Sequence, residues 1–237
     1  MKQVIVLAAG ISSRMRPLTN DRPKPMLLLG GRPIMEYVIV YLRSAGFVDI
    51  VITTHYLPDV IMGYFGNGSN FGADITYSYE EPLLGTAGSL KLIEDRLHDE
   101  FLVCGGHFFL PALDLGDMIR FHRERGGLGT VAFKRLTDKN LLKFFGQGIF
   151  DSEQKLVGFH EKPCRVICNY VHTTYQIYRK EVVELIPSGI PLSIPDFLIP
   201  KLLERGESVY GYFTESELIN VSTIELYERA RKLIDEL

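Results

Sequence analysis

Cysteine is scarce in this 237-residue chain, which carries only Cys104, Cys164 and Cys168. An odd, low count excludes a disulfide framework and suits a reducing compartment, so the cytoplasm is the expected location. Long apolar runs are missing as well. No stretch approaches the ~18 uninterrupted apolar residues of a membrane span. The opening run, Val4 to Leu7, is too short for a signal peptide. Charge of one sign is also lacking. Lys and Arg number 26 against 29 Asp and Glu, a net charge of −3 that argues against a nucleic-acid partner. There is no Walker A motif, and no G-x-G-x-x-G follows the first apolar run. Internal repeats, low-complexity tracts and a clear linker are absent.

What is present is alternation. Val4–Leu7, Asp49–Thr53, Asp74–Ser78, Phe101–Cys104 and Thr130–Phe133 read as short strands. Between them Ile34, Tyr37, Val38, Tyr41, Leu42 and Ala45 recur at helical spacing, and Gly46 supplies a stop. Helices are expected over Leu57–Phe65, Thr86–Ile93 and Leu115–Arg123 as well. Such alternation predicts an α/β fold with a mixed, mostly parallel central sheet flanked by helices. Near residue 140 the pattern changes. Gly146–Phe150 and Leu156–Phe159 read as a hairpin, Asn169–Tyr178 as a long strand, and Lys180–Ile186 and Ile194–Leu203 as short helices. Ser193 and Asp196 have the spacing of a cap for the second of these. A strand over Val209–Phe213 and a last helix through Leu233, opened by a Ser222/Glu225 capping box, complete an α+β elaboration.

The first strand runs into a loop holding Leu7, Ala8, Ala9, Gly10, Ser12, Ser13 and Arg14, and Lys24 follows between Pro23 and Pro25. Small residues after a strand let backbone N–H groups approach an anion. Arg14 can clamp two phosphate oxygens, and Lys24 adds a point charge held by its prolines. In isolation such a loop is also compatible with an ordinary turn bearing surface cations.

The full string is more specific. Residues 7–37, L-A-A-G-x-x-x-R-M-x-P-L-T-x-x-x-P-K-P-M-L and then G-x-P-x-x-E-Y, resemble the sugar-1-phosphate nucleotidylyltransferases. Pro82 to Ser89 looks like that family's second nucleotide segment, Glu161-Lys162-Pro163 like its sugar-phosphate segment, and Tyr210 to Leu233 like its closing strand and helix. The resemblance implies a Rossmann-like nucleotide-diphospho-sugar transferase fold. It implies one domain over 1–237, with a nucleotide-binding half (1–140) and a sugar-phosphate half (141–237). It also implies a chemistry: a sugar 1-phosphate oxygen attacks the α-phosphorus of a nucleoside triphosphate, pyrophosphate leaves, and a nucleotide sugar forms. By motif match Arg14 and Lys24 hold the triphosphate, and Lys162 the sugar phosphate. Glu81, Gly85, Thr86 and Ala87 join the nucleotide site, and Gly146, Glu161 and Thr174 the sugar site. Thymidylyl- and uridylyl-type relatives commonly carry Gln where this chain has Glu81. A carboxylate there can accept from N1–H and the 2-amino group of guanine, which favours GTP and the mannose-1-phosphate guanylyltransferase branch. Glu81 beside Glu80 also fits a plain surface residue.

Elsewhere the family pattern breaks. The two aspartates that hold Mg²⁺ are replaced by His107, in Gly105-Gly106-His107, and Asn220, in Leu218-Ile219-Asn220-Val221-Ser222. Mg²⁺ prefers anionic oxygen, so the cofactor the family implies is in doubt here, and no organic cofactor is expected. The family's N-A-G becomes His172-Thr173-Thr174, and Y-G-V-V becomes Phe145-Gly146-Gln147-Gly148. Two functions therefore stay open. One is an active transferase with a rearranged metal site. The other is a pseudoenzyme that binds nucleotide or sugar nucleotide and serves an active paralogue or a homo-oligomer. Replacement of the metal ligands, deliberate or accidental, is a third origin for the same pattern. His160, Cys164, Cys168 and His172 recur every four residues. Zinc is disfavoured there, because four residues of extended chain span about 13 Å, too far for one ion. Cys104 reads as core.

Overall fold

The computed structural model describes residues 1–234. Its strands are β1 (Gln3–Leu7), β2 (Leu28–Leu29), β3 (Arg32–Pro33), β4 (Asp49–Thr54), β5 (Asp74–Tyr79), β6 (Glu100–Gly105) and β7 (Phe108–Phe109). They continue with β8 (Gly129–Arg135), β9 (Gln147–Phe150), β10 (Leu156–His160), β11 (Tyr170–Arg179), β12 (Val209–Thr214) and β13 (Ile219–Asn220). The helices are α1 (Ile34–Ser44), α2 (Pro58–Phe65), α3 (Gly85–Leu92), α4 (Leu115–Arg125), α5 (Lys139–Leu142), α6 (Ile199–Glu204) and α7 (Ile224–Ile234). The expected mixed α/β architecture is present. Among the described residues no helix is long and apolar enough to cross a membrane.

The chain groups into two compact units, each assembled from separate segments. The N-terminal unit takes Lys2–Leu83, Cys104–Pro111 and the described residues from Glu217 to Ile234; the central unit takes Leu84–Val103 and Ala112–Ser216.

In the N-terminal unit β1, β4 and β5 pair in parallel, in register from Gln3↔Asp49 to Leu7↔Thr53 and from Asp49↔Asp74 to Thr54↔Tyr79. Val4, Ile5 and Val6 are fully buried, as a β-branched strand covered on both faces must be. The α1 helix buries Ile34, Met35, Val38, Ile39 and Leu42 along one stripe. Gly46, at φ 90°, ends it where the sequence placed the stop. Two short antiparallel pairs, β2–β3 and β7–β13, complete this unit. The α7 helix packs against β13 and β2, and its Tyr227 hydroxyl donates to the Leu28 carbonyl at 2.8 Å.

The cap of α7 differs from the expectation. Thr223, not Ser222, accepts the N–H of Leu226 at 3.2 Å. Ser222 is instead engaged by Asn220, whose Oδ1 takes the Ser222 N–H at 2.9 Å. The Asx turn at Asn220 shifts the helix start by one residue. The Ser193/Asp196 cap forms as expected, with Ser193 Oγ accepting the Asp196 N–H at 3.0 Å. It opens a π-turn over Ile194–Leu198 that leads into α6.

In the central unit β11 is the pivot. It pairs antiparallel with the Glu100–Val103 part of β6, with β8, and at Val171 with β9. The β9–β10 hairpin and the parallel β8–β12 pair extend this sheet. Phe101, Phe133, Tyr175 and Tyr178 fill its core with almost no exposed surface. The β11–β8 register is interrupted between His172 and Gln176, so Thr173 to Tyr175 leave the regular ladder. Thr173 compensates by donating its hydroxyl to the Ala132 carbonyl at 2.8 Å. Breaks of this kind re-aim side chains, and this one falls on the His172–Thr174 segment.

Candidate functional site

The loop after β1 is held from below. Ala8 N–H bonds the Thr53 carbonyl at 3.2 Å and its hydroxyl at 3.3 Å, which anchors the strand end to β4. Ala8 and Ala9 are buried, so their methyls sit in packed core. Ser12 adopts the left-handed conformation at φ 57° and donates its hydroxyl back to Gly10 O. The chain then turns through Ser13–Met15, with Met15 buried and Arg14 exposed. Thr19 Oγ1 donates to Ser12 O at 3.1 Å, and the Tyr56 hydroxyl donates to Thr19 O at 2.8 Å. The loop is therefore preformed. Lys24 opens a second turn, half-buried between buried Pro23 and Pro25. Sequence reading quoted Thr19 within the P-L-T string without giving it a role, and it missed Thr53 and Tyr56, which carry no motif; all three act here through these bonds.

At the end of β5 the two adjacent glutamates separate. Glu80 is fully buried, its carbonyl held by His55 Nδ1 at 2.8 Å, while Glu81 is exposed. Gly85, Thr86 and Ala87 lie in the central unit and pack against residues 192–194. Thr86 Oγ1 accepts the Ile194 N–H at 2.7 Å, and Ala87 N–H donates to Leu192 O at 2.9 Å. Gly85 has φ 72°, and a Cβ there would lie 2.6 Å from Leu192 O. Packing against this segment thus accounts for the glycine at 85 and engages the Thr86 hydroxyl.

His107 and Asn220, far apart in sequence, are brought together in the N-terminal unit. Asn220 pairs with Phe108 across β13–β7, and Val221 N–H donates to His107 O at 3.3 Å. Yet the donor set does not fit Mg²⁺. Asn220 is buried, and its one side-chain oxygen is already occupied by the N–H and hydroxyl of Ser222. Among the described residues no group of three or more His, Cys, Asp or Glu side chains could hold a metal. An imidazole and a committed amide offer no anionic oxygen to a hard cation.

In the central unit Gly146, Phe159, Glu161, Lys162 and His172 converge. A Cβ on Gly146 would lie 2.6 Å from Glu161 Oε2 and 2.6 Å from Phe159 Cζ. The glycine therefore leaves that carboxylate its space. Gly146 O accepts the N–H of His172 at 2.8 Å. Lys162, at φ 42° and exposed, is ion-paired with Glu161. Thr174 is half-buried in the break of β11. The His172 ring stands edge-on to Phe133 and Phe159, with centroids 6.1 and 5.5 Å away. Burial, aided by the Lys162 charge, pulls its pKa down to about 3, so the ring is neutral. The His160–His172 segment has both ends in strands, with Cys168 Sγ–H donating to Gly148 O at 3.0 Å. No helical face gathers the four zinc candidates.

Comparison with known proteins bears on this arrangement directly. The sequence pattern of the family described as nucleotidyl transferase matches residues 3–218. The chain belongs to the nucleotidyl transferase family. Among relatives of this family member, a UTP–glucose-1-phosphate uridylyltransferase of Synechocystis is 31% identical over 96% of the chain. A mannose-1-phosphate guanylyltransferase of Mycobacterium tuberculosis is 30% identical over 95%. In each case the chain spans 62% of the relative's length. A solved structure of a glucose-1-phosphate thymidylyltransferase from Bacillus anthracis, described as putative and in complex with sucrose, superimposes with a TM-score of 0.87 at 26% identity, covering 100% of this chain and 96% of its own. The fold of this family member is thus the nucleotide-diphospho-sugar transferase fold.

Proposed function

We propose that this chain transfers a nucleoside monophosphate from a nucleoside triphosphate to a sugar 1-phosphate, releasing pyrophosphate. The observation that carries the reading is the preformed loop Leu7–Arg14, held by Thr53, Thr19 and Tyr56 with Arg14 left exposed. Arg14 holds the triphosphate and stabilises the departing pyrophosphate, and Lys24 offsets charge at the α-phosphate. Lys162 holds the sugar phosphate whose oxygen attacks in line, and Glu161 accepts from sugar hydroxyls. The α-phosphorus–oxygen bond to pyrophosphate breaks as the new one forms. GTP is the favoured donor, because Glu81 is the exposed one of the two glutamates and can accept both guanine donors. Incubation with each of the four triphosphates, mannose or glucose 1-phosphate, and Mg²⁺ or Mn²⁺ tests the reading. Pyrophosphate release with one pair is expected; none with any pair sinks it.

One observation favours a second reading. With Asn220 committed to Ser222 and His107 beside it, this pair offers Mg²⁺ no anionic oxygen. A non-catalytic subunit that binds nucleotide or sugar nucleotide beside an active partner needs no such oxygen. It predicts calorimetric nucleotide binding that survives chelator and gives no turnover. Restoring both carboxylates, His107→Asp with Asn220→Asp, then separates the cases. Activity that appears only in the double variant identifies the metal site as what was lost.

A further inference from the structure

The Nε2 atom of His172 is buried and has no hydrogen-bond partner within the chain. The residue is 8% exposed. A buried polar atom without a partner forfeits its bond to water, and few such atoms occur among the described residues. Its surroundings supply a use for it. The backbone N–H of His172 donates to Gly146 O at 2.8 Å, and its ring rests edge-on against Phe159 at 5.5 Å. Phe159 and Glu161 Oε2 both border the space that a side chain on Gly146 would fill. Phe133 backs the ring from β8 at 6.1 Å. The imidazole thus stands between two aromatic rings, with its backbone held to Gly146, at the break in β11, among the residues assigned above to the sugar phosphate.

We propose that His172 Nε2 recognises a ring hydroxyl of the incoming sugar 1-phosphate and is a specificity-determining residue for that sugar. The inference rests on the sugar-phosphate reading of the Glu161–Lys162 segment. A neutral imidazole nitrogen donates or accepts according to tautomer, and a hydroxyl answers either form. A phosphate oxygen only accepts, and Lys162 supplies a cation for it. Selectivity follows from the same burial. A sugar that lacks the hydroxyl, or presents it on the other face, leaves Nε2 unpaired and loses the advantage of its bond.

The test is calorimetric binding of mannose 1-phosphate, glucose 1-phosphate and inorganic phosphate, with and without a non-hydrolysable GTP analogue. Wild type is expected to prefer one hexose 1-phosphate. His172→Phe keeps the aromatic packing and removes the nitrogen. It should weaken that preferred hexose 1-phosphate about 3- to 10-fold, the worth of one hydrogen bond, bring the two hexoses together, and leave inorganic phosphate unchanged. His172→Gln, whose amide reaches the Nε2 position, should recover the preference. Should the phenylalanine variant fail to fold, His172→Asn, whose amide stops short, must show the same loss. Hexose binding by the folded phenylalanine variant equal to wild type overturns the proposal, as does an equal loss toward inorganic phosphate. Pyrophosphate release is read in parallel. Hexose recognition through His172 without turnover removes the transferase reading and keeps this one; turnover indifferent to His172 does the reverse. No binding of either hexose 1-phosphate by wild type overturns both.

Discussion

Single side chains in this protein divide between those that hold shape and those left free to meet a ligand, and motif reading cannot tell the two apart. Arg14 and Gly85 both belong to family motifs. Arg14 is exposed on a turn anchored by buried Met15. Arg14→Ala should therefore leave the unfolding free energy within about 0.5 kcal/mol of wild type. Loss of a charge-assisted phosphate contact should weaken triphosphate binding about 10- to 100-fold. Parallel thermal melts and calorimetry check the split. Gly85 behaves oppositely. It has φ 72°, and an added Cβ would meet the backbone oxygen of Leu192 at 2.6 Å. Gly85→Ala should cost about 2–3 kcal/mol in urea unfolding, from the left-handed conformation and the overpacking together. A change under 0.5 kcal/mol would show that the 190–194 segment yields.

Elements were largely legible, because their signals are local. The stripe Ile34, Val38 and Leu42, the β-branched run Val4–Val6, and the Ser193 cap all appear where periodicity and capping chemistry place them. The start of α7 was not. Ser222 and Glu225 have capping-box spacing, but the Asn220 side chain claims Ser222, and Thr223 caps the helix. Thr223→Ala should then cost about 1 kcal/mol. Ser222→Ala should leave the Leu226 amide capped. Hydrogen exchange at the Leu226 amide distinguishes them: faster exchange is expected only in the Thr223 variant. The interruption in β11 was equally hidden, since His172-Thr173-Thr174-Tyr175 reads as unbroken strand until its pairing with β8 is known.

Across the whole molecule the buried histidines link stability to pH. His122 is fully buried, with Nδ1 at 2.9 Å from Thr130 Oγ1, and burial lowers its pKa to about 4; that of His172 falls to about 3. Both rings take up a proton near pH 6.5 once the chain unfolds, but the folded chain resists protonation until far lower pH. The unfolded state thus binds more protons below pH 6.5, and stability must fall as pH drops from about 6.5 toward 4. Melting temperatures at pH 7.5 and pH 5 should differ in that direction. His122→Gln should flatten the slope, and an unchanged slope would remove His122 as a source. Strand–helix alternation, the small-residue loop Leu7–Arg14 after the first strand, and the absence of a carboxylate at positions 107 and 220 were determined by the amino-acid sequence alone. Each rests on residue type and near-neighbour spacing, which chain order carries in full. Only the tertiary structure decided that Asn220 lies beside Phe108, that its oxygen is already taken, and that His172 keeps a buried nitrogen without a partner. The pairing of Asn220 with Phe108 joins segments more than a hundred residues apart, and the burial of the His172 nitrogen depends on rings brought in from β8 and β10 and on the exclusion of water; neither is written in local spacing.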